Sequence, residues 1–337
     1  MRVAVFSTRP YDTAHLTAAN EALGGRHDLV FLEATLDATT ATLARGCGAV
    51  CAFVNDHLDE GVLHRLKAMG VDLVALRCAG FNNVDLVAAD ALGITVVRVP
   101  AYSPHAVAEF TIGLLLAANR RIHRAWARTR ENNFALDGLE GRNLYGQLAG
   151  VVGTGRIGAL VARSLRAGFG CEVLACDPVE DEELKAIGVQ YVPREELLER
   201  ASIISLHCPL TPDSHHLIDA AMLSRAQEGL LLVNTSRGAL IDTVALIEAL
   251  KAGRVGAVAL DVYEQEGDLF FRNLSDTIIT DDTFQRLLTF PNVLVTGHQA
   301  FLTREALDAI ATTTIGNIST AQDGLAPTNA VTAAMLR

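Results

Sequence analysis

The stretch that most constrains this chain is Val151-Val152-Gly153-Thr154-Gly155-Arg156-Ile157-Gly158. An apolar run from Leu148 to Val152 reads as a buried strand, and the three glycines fall where it turns into a helix. In a βαβ unit the first glycine permits the tight turn and the second lets the backbone approach a pyrophosphate. The third lets helix and strand pack closely. The pyrophosphate then rests on the helix N-terminus, where unpaired N–H groups and the dipole favour an anion. Gly153, Thr154, Gly155, Arg156, Ile157 and Gly158 are therefore assigned to a dinucleotide. A second strand, 172–177, ends in an acid 19 residues past Gly158, near the ~20-residue offset of a carboxylate that accepts from an adenosine ribose. Asp177, followed by Pro178 rather than an arginine, disfavours a 2′-phosphate. The expected cofactor is NAD.

On either side the chain alternates strand and helix patterns. Before the glycines, strands are expected at 3–7, 29–33, 49–54, 73–76 and 95–99, with helices near 13–23, 38–45, 59–69 and 84–92. After them, strands are expected at 203–207, 230–234, 258–262 and 293–296, with helices near 156–168, 195–200, 220–226 and 243–252. Alternating βα units build parallel sheets covered on both faces. The prolines at 100 and 104 bias the chain to extended backbone, so Pro100-Ala-Tyr-Ser-Pro104 reads as an interdomain crossing. Ser103 then caps a helix that starts on Pro104 and runs to about residue 124. That helix is apolar on most of its surface, which makes it a candidate for self-association into a homo-oligomer. A final helix near 303–317 leads into a polar tail expected to return to the first domain. The expected fold is α/β, with two Rossmann-like or flavodoxin-like doubly wound parallel-sheet domains and the active site in the cleft between them. Residues 1–100 plus 301–337 form the discontinuous substrate-binding domain, and residues 101–300 the NAD-binding domain.

A net charge of −11 argues against a nucleic-acid partner. The chain opens directly on a strand pattern, so no signal peptide is expected, and the apolar run near 106–118 is too short to span a bilayer. Scattered cysteines inside apolar runs read as reduced structural thiols, and the expected compartment is the cytoplasm. No metal site is expected. His105 and Glu109 lack a third ligand, and His215-His216 reads as a surface turn after Pro212.

Nicotinamide chemistry needs a cation to hold and polarise a carbonyl acid, and a proton donor near neutral pH. Three residues follow strands of the second half, at the edge where open α/β sheets place ligands. Arg237, in Asn-Thr-Ser-Arg-Gly, suits bidentate carboxylate binding. Glu266 follows the 258–262 strand, with Glu264 as a rival that position alone does not separate. His298 follows the 293–296 strand, and a carboxylate beside its imidazole would favour the imidazolium.

With those residues in view, the chain resembles the D-isomer-specific 2-hydroxyacid dehydrogenase family. The matching stretches include Leu76-Arg-Cys-Ala-Gly-Phe-Asn-Asn-Val-Asp85, Val99-Pro-Ala-Tyr-Ser-Pro104, Gly153-Thr-Gly-Arg-Ile-Gly158 and Ser205-Leu-His-Cys-Pro-Leu-Thr211. They continue through Val233-Asn-Thr-Ser-Arg-Gly-Ala-Leu-Ile-Asp242, Asp261-Val-Tyr-Glu-Gln-Glu-Gly-Asp-Leu-Phe-Phe271 and Thr296-Gly-His-Gln-Ala-Phe-Leu-Thr303. The resemblance implies catalytic roles for Arg237, Glu266 and His298, and so prefers Glu266 to Glu264. It implies cofactor contacts at His207, Cys208, Pro209, Thr235 and Asp261, the last near the nicotinamide amide. It implies that backbone N–H groups of Cys78, Ala79 and Gly80 hold the substrate carboxylate, with Tyr102 at the substrate. Phe53 and Phe301 match positions that wall the side-chain pocket, and their bulk suits a small keto acid such as pyruvate, reduced to D-lactate. A bulkier acid such as phenylpyruvate or 2-ketoisocaproate is the rival substrate. A non-catalytic NAD-sensing co-repressor is the rival class, and would be expected to carry partner-binding grooves or extended tails.

Overall fold

The computed structural model describes residues 1–336, without the side chains of Asp268 and Leu336. Two compact units emerge, Met1–Ser103 with Leu302–Arg337, and Pro104–Phe301. The first unit opens with β1 (Arg2–Val5), α1 (Pro10–Ala22), β2 (Asp28–Phe31), β3 (Ala49–Ala52), α2 (Glu60–Ala68), β4 (Leu73–Leu76), α3 (Leu86–Leu92) and β5 (Thr95–Val97). The second contains α4 (Pro104–Asn119), α5 (Ile122–Arg130), β6 (Leu148–Val152), α6 (Arg156–Arg163), β7 (Glu172–Cys176), α7 (Glu182–Ala186), β8 (Gln190–Tyr191) and α8 (Arg194–Arg200). It continues with β9 (Ile203–Leu206), α9 (Ala220–Arg225), β10 (Leu230–Asn234), α10 (Thr243–Lys251), β11 (Val255–Leu260), α11 (Asp282–Leu288) and β12 (Val293–Val295). The chain then returns to the first unit with α12 (Arg304–Gln322) and β13 (Ala330–Val331).

The sheet of the first unit has the order β13-β5-β4-β3-β1-β2, parallel except for β13, which pairs antiparallel with β5. The sheet of the second has the order β12-β11-β10-β9-β6-β7-β8 and is parallel throughout. Strands β3, β4, β9 and β10 are buried along their whole length, as expected of sheets covered on both faces. In each sheet the winding reverses beside the first strand, between β1 and β3 and between β6 and β9. That switch point is where doubly wound sheets bind ligands.

Helix starts follow local chemistry. Asp59, Asp85, Asp181, Asp219, Asp242, Asp281 and Thr303 each accept a backbone N–H at the start of a helix, a cap that contributes about 1 kcal/mol. Helix α6 departs from this: Gly155 sits at its N-cap with no side-chain cap.

Two expectations from sequence are corrected. Residues 38–45 form only a 3-10 turn, Ala41–Ala44, because Asp37 Oδ1 accepts from the Thr39 and Thr40 N–H groups and holds a local turn instead. The helix expected over 104–124 is two helices, broken where Arg121 takes a left-handed φ of 51°. The apolar face of α4 is buried by α6 and by β10 and β11 of its own unit, so it is not a bare face. The exposed apolar side chains lie further on, at Ile122, Trp126, Phe134 and Leu136.

Candidate active site

The glycine loop leaves β6 with Gly153 at φ +88°, a region that costs L side chains dearly. A Cβ on Gly153 would also stand 2.7 Å from Cys208 N, and one on Gly158 would stand 1.8 Å from Gly153 O. Those two glycines let the loop press against the end of β9 and against its own helix. At Gly155 a Cβ would meet nothing within 4 Å, so this glycine opens a space rather than filling a tight one. Among the described residues the N–H groups of Gly155, Arg156, Ile157 and Gly158 have no acceptor. An open cradle of N–H groups at an uncapped helix start fits a dinucleotide pyrophosphate. Asp177, past β7, accepts from Thr154 N at 2.7 Å through one oxygen and from Val179 N at 2.9 Å through the other. Carboxylate oxygens accept more than one bond, so ribose hydroxyls remain compatible with this arrangement.

His207 follows β9, with Nε2 2.8 Å from Ser205 Oγ, and burial pushes its pKa down to about 4. It is a neutral wall residue beside the cradle. Thr235, past β10, shares a hydrogen bond of 2.8 Å with Thr111 of α4. Cys208 and Pro209 continue the loop after His207, where the Cys208 carbonyl accepts from Ser236 Oγ.

The three catalytic candidates lie at the carboxyl ends of β10, β11 and β12, which are neighbours in the sheet. Arg237 is half-buried, and its Nη1 donates to Ser236 O at 2.7 Å. No carboxylate pairs with it among the described residues. The next residue must be glycine, since a Cβ on Gly238 would lie 2.0 Å from Tyr263 C. That close approach packs the Arg237 turn against the segment leading to Glu266. His298 Nδ1 lies 2.7 Å from Glu266 Oε1, and Glu266 Oε2 accepts from Tyr263 N at 2.9 Å. Because the carboxylate only accepts, Nδ1 carries the proton and Nε2 is left to exchange one with a ligand. Nε2 has no partner among the described residues. The Phe271 ring stands 5.6 Å from the imidazole.

His298 adopts φ 53°, a strained position for a non-glycine residue. What over-determines it is Asp261. This fully buried aspartate gives its backbone carbonyl to His298 N, and its carboxylate to Thr296 Oγ1, Gln299 N and Ala300 N. Burial pushes the Asp261 carboxyl up, against the pull of those three donors. Asp261 thus positions His298, a role that sequence reasoning missed although the residue directly follows β11. Tyr191 was also missed: its hydroxyl bridges Thr154 Oγ1 and Asp181 N. Glu264 turns away from Glu266, toward His216 and Thr243.

In the first unit, Cys78, Ala79 and Gly80 follow β4. Arg98 Nη1 donates to Ala79 O and Val99 N to Cys78 O, while the N–H groups of Ala79 and Gly80 have no acceptor among the described residues. A loop held by its carbonyls with free N–H groups suits a carboxylate. Phe53 is buried after β3, with Arg77 stacked over its ring at 4.7 Å. Tyr102 is half-buried before α4, and Phe301 is buried past β12.

The family model described as "D-isomer specific 2-hydroxyacid dehydrogenase, NAD binding domain" matches residues 112–300. The chain is 54% identical to 2-hydroxyacid dehydrogenase homolog 1 of Schizosaccharomyces pombe, over 95% of this chain and 96% of that protein. It is 52% identical to D-lactate dehydrogenase of Escherichia coli, over 96% of this chain and 98% of that protein. The apo structure of the Escherichia coli D-lactate dehydrogenase superposes with a TM-score of 0.89 at 49% identity, covering 98% of this chain and 100% of that one.

Proposed function

The chain belongs to the D-isomer-specific 2-hydroxyacid dehydrogenases, NAD-dependent oxidoreductases, and from that premise we propose that it reduces pyruvate to D-lactate. The observation that carries this reading is the His298–Glu266 pair, with Nε2 left open at the sheet edge that also presents Arg237.

The free N–H groups from Gly155 to Gly158 would hold the pyrophosphate and Asp177 the ribose. Bound NADH supplies the hydride. Arg237, free of an internal carboxylate, takes the keto acid and stabilises the negative charge that grows on its carbonyl oxygen. The Ala79 and Gly80 N–H groups are the proposed anchor for the substrate carboxylate. His298 Nε2 gives its proton to the alkoxide oxygen, and Glu266 holds the ring in orientation through Nδ1. Asp261 keeps the histidine backbone in its strained conformation. We further assign Tyr102, Phe53 and Phe301 to the substrate, and His207, Cys208, Pro209 and Thr235 to the cofactor.

Among the described residues no helix is long and apolar enough to cross a membrane. All six cysteines are free thiols, which supports a reducing, cytoplasmic setting. Self-association is proposed through α5 and the loop after it, where Trp126 and Phe134 stand exposed, rather than through the covered face of α4.

The test follows NADH absorbance with pyruvate, phenylpyruvate and 2-ketoisocaproate, and with NADPH in place of NADH. The reading expects turnover with pyruvate above the bulkier acids and little with NADPH. Preference for phenylpyruvate would overturn the substrate assignment, and no oxidation with any keto acid would overturn the enzyme reading.

A further inference from the structure

His215 and His216 follow a turn that the sequence presents as plain surface, yet their side chains converge. His216 takes a left-handed φ of 51°, fixed by its N–H on Ala239 O at 2.8 Å and by Leu217 N on Ser214 O at 3.1 Å. In an extended segment, consecutive side chains point to opposite sides. Here the kink puts both imidazoles on one side, stacked with centroids 3.9 Å apart and planes 25° from parallel. Glu264 meets them from the segment after β11, with Oε1 2.6 Å from His216 Nε2.

We propose that His215, His216 and Glu264 bind one divalent transition-metal ion of the Zn2+ or Ni2+ type. One ligand atom from each of the three residues lies within 4.8 Å of the others. Metal–nitrogen and metal–oxygen bonds of roughly 2.0–2.2 Å at tetrahedral angles place donors roughly 3.3–3.5 Å apart. Reaching that spacing takes about an ångström of inward movement, which exposed His215 can supply, and a smaller opening of the His216 Nε2–Glu264 Oε1 pair from 2.6 Å. Two imidazoles and one carboxylate are a borderline donor set, suited to zinc or nickel and poor for Mg2+ or Ca2+, which take oxygen shells.

The surroundings orient these donors as an outer shell does. Asp242 Oδ2 stands 3.9 Å from His216 Nδ1, the nitrogen turned away from Glu264. Thr243 Oγ1 donates to Glu264 Oε2 at 3.1 Å, holding one carboxylate oxygen while the other faces His216 Nε2, from which an ion would have to displace the shared proton. At 3.9 Å the Asp242 carboxylate is a charge beside the ring and not a hydrogen-bond partner. The ion would join the turn that touches Ala239, two residues past Arg237, to a segment that carries Glu266 two residues past Glu264. Its effect on turnover rests on the functional reading above, but its binding does not.

The test uses chelator-treated full-length protein and calorimetric titration with Ni2+, with Mg2+ as a control and no substrate present. We expect one Ni2+ per chain with micromolar affinity and no Mg2+ binding. His215→Ala, an exposed change that leaves the fold intact, and Glu264→Gln should each weaken Ni2+ at least tenfold. His105→Ala, in the other histidine–glutamate pair, should leave it unchanged. Saturating Ni2+ should raise the unfolding midpoint of the native protein by roughly 2–5 °C, and not that of His215→Ala. Millimolar-only binding, or equal affinity in the native protein and His215→Ala, would overturn the proposal.

Discussion

The two units wind their sheets by the same rule and treat the resulting switch point in opposite ways. Between β6 and β9 the backbone N–H groups of the glycine loop are left open, beside a neutral His207. Between β1 and β3 the corresponding space is filled from within. Asp56, fully buried, accepts from Ser7 Oγ at 2.6 Å, Leu36 N at 2.7 Å and Phe53 N at 2.6 Å. Arg77, also buried, donates to Ser7 O and to Asp12 and lies over Phe53. An internal carboxylate thus takes, in the first unit, the kind of hydrogen bonds that a bound anion would take in the second. One topology therefore yields a rigid scaffold at one place and a cofactor cradle at another, and the residues in the loops decide which.

The largest expected effect comes from unplugging the filled switch point. Asp56→Ala leaves three buried donors unpaired and strips Arg77 of a neighbouring charge, which should cost about 3–5 kcal/mol of stability. Urea unfolding measures it. NADH affinity of the folded fraction should be unchanged, and a parallel loss of NADH binding would break the proposed division between scaffold and cradle.

The converse change fills the open one. Gly155→Ala places its Cβ in free space at a φ of −63°, so stability should move by less than ~0.5 kcal/mol. The methyl group would stand where the pyrophosphate must approach, and the NADH Kd, read by fluorescence titration, should rise about tenfold. Unchanged affinity would remove the cradle from that spot.

An effect of similar size tests the neutral wall. Burial lowers the His207 pKa to about 4 from an ordinary 6.5, so between those values the unfolded chain binds a proton that the folded chain refuses. Stability contributed by the neutral ring is complete above about pH 6.5 and is lost as pH falls toward 4. Going from pH 7 to pH 5, native protein should lose about 1–2 kcal/mol more than His207→Gln. Equal losses by urea titration at the two pH values would contradict a half-buried histidine held neutral.

The glycine loop, the strand ends that carry Arg237, Glu266 and His298, and the alternation of both units were legible because each is a local pattern. The plug was not legible. Arg77 and Asp12 lie 65 residues apart, and neither sits in a periodicity that signals its partner. Residues 38–45 misled because helix propensity there loses to the Asp37 turn, whose hydrogen bonds to Thr39 and Thr40 hold that carboxyl down at about 2. Position alone leaves Glu264 and Glu266 equivalent and the resemblance prefers Glu266; the path of the segment turns one toward His216 and the other toward His298. Asp261 falls inside the strand expected at 258–262 and entered only as a cofactor contact implied by the resemblance, and its work on the His298 backbone needs the folded turn to be seen.

The central claim is that His298 gives its Nε2 proton to the carbonyl oxygen, and the pyruvate turnover of His298→Asn tests this most directly. Asparagine tolerates the left-handed φ of 53° but cannot donate an acidic proton. Turnover should fall by about 10²–10⁴-fold while NADH affinity, read by fluorescence titration, stays as in the native enzyme. Turnover within a fewfold of native would contradict the assignment of His298 as proton donor.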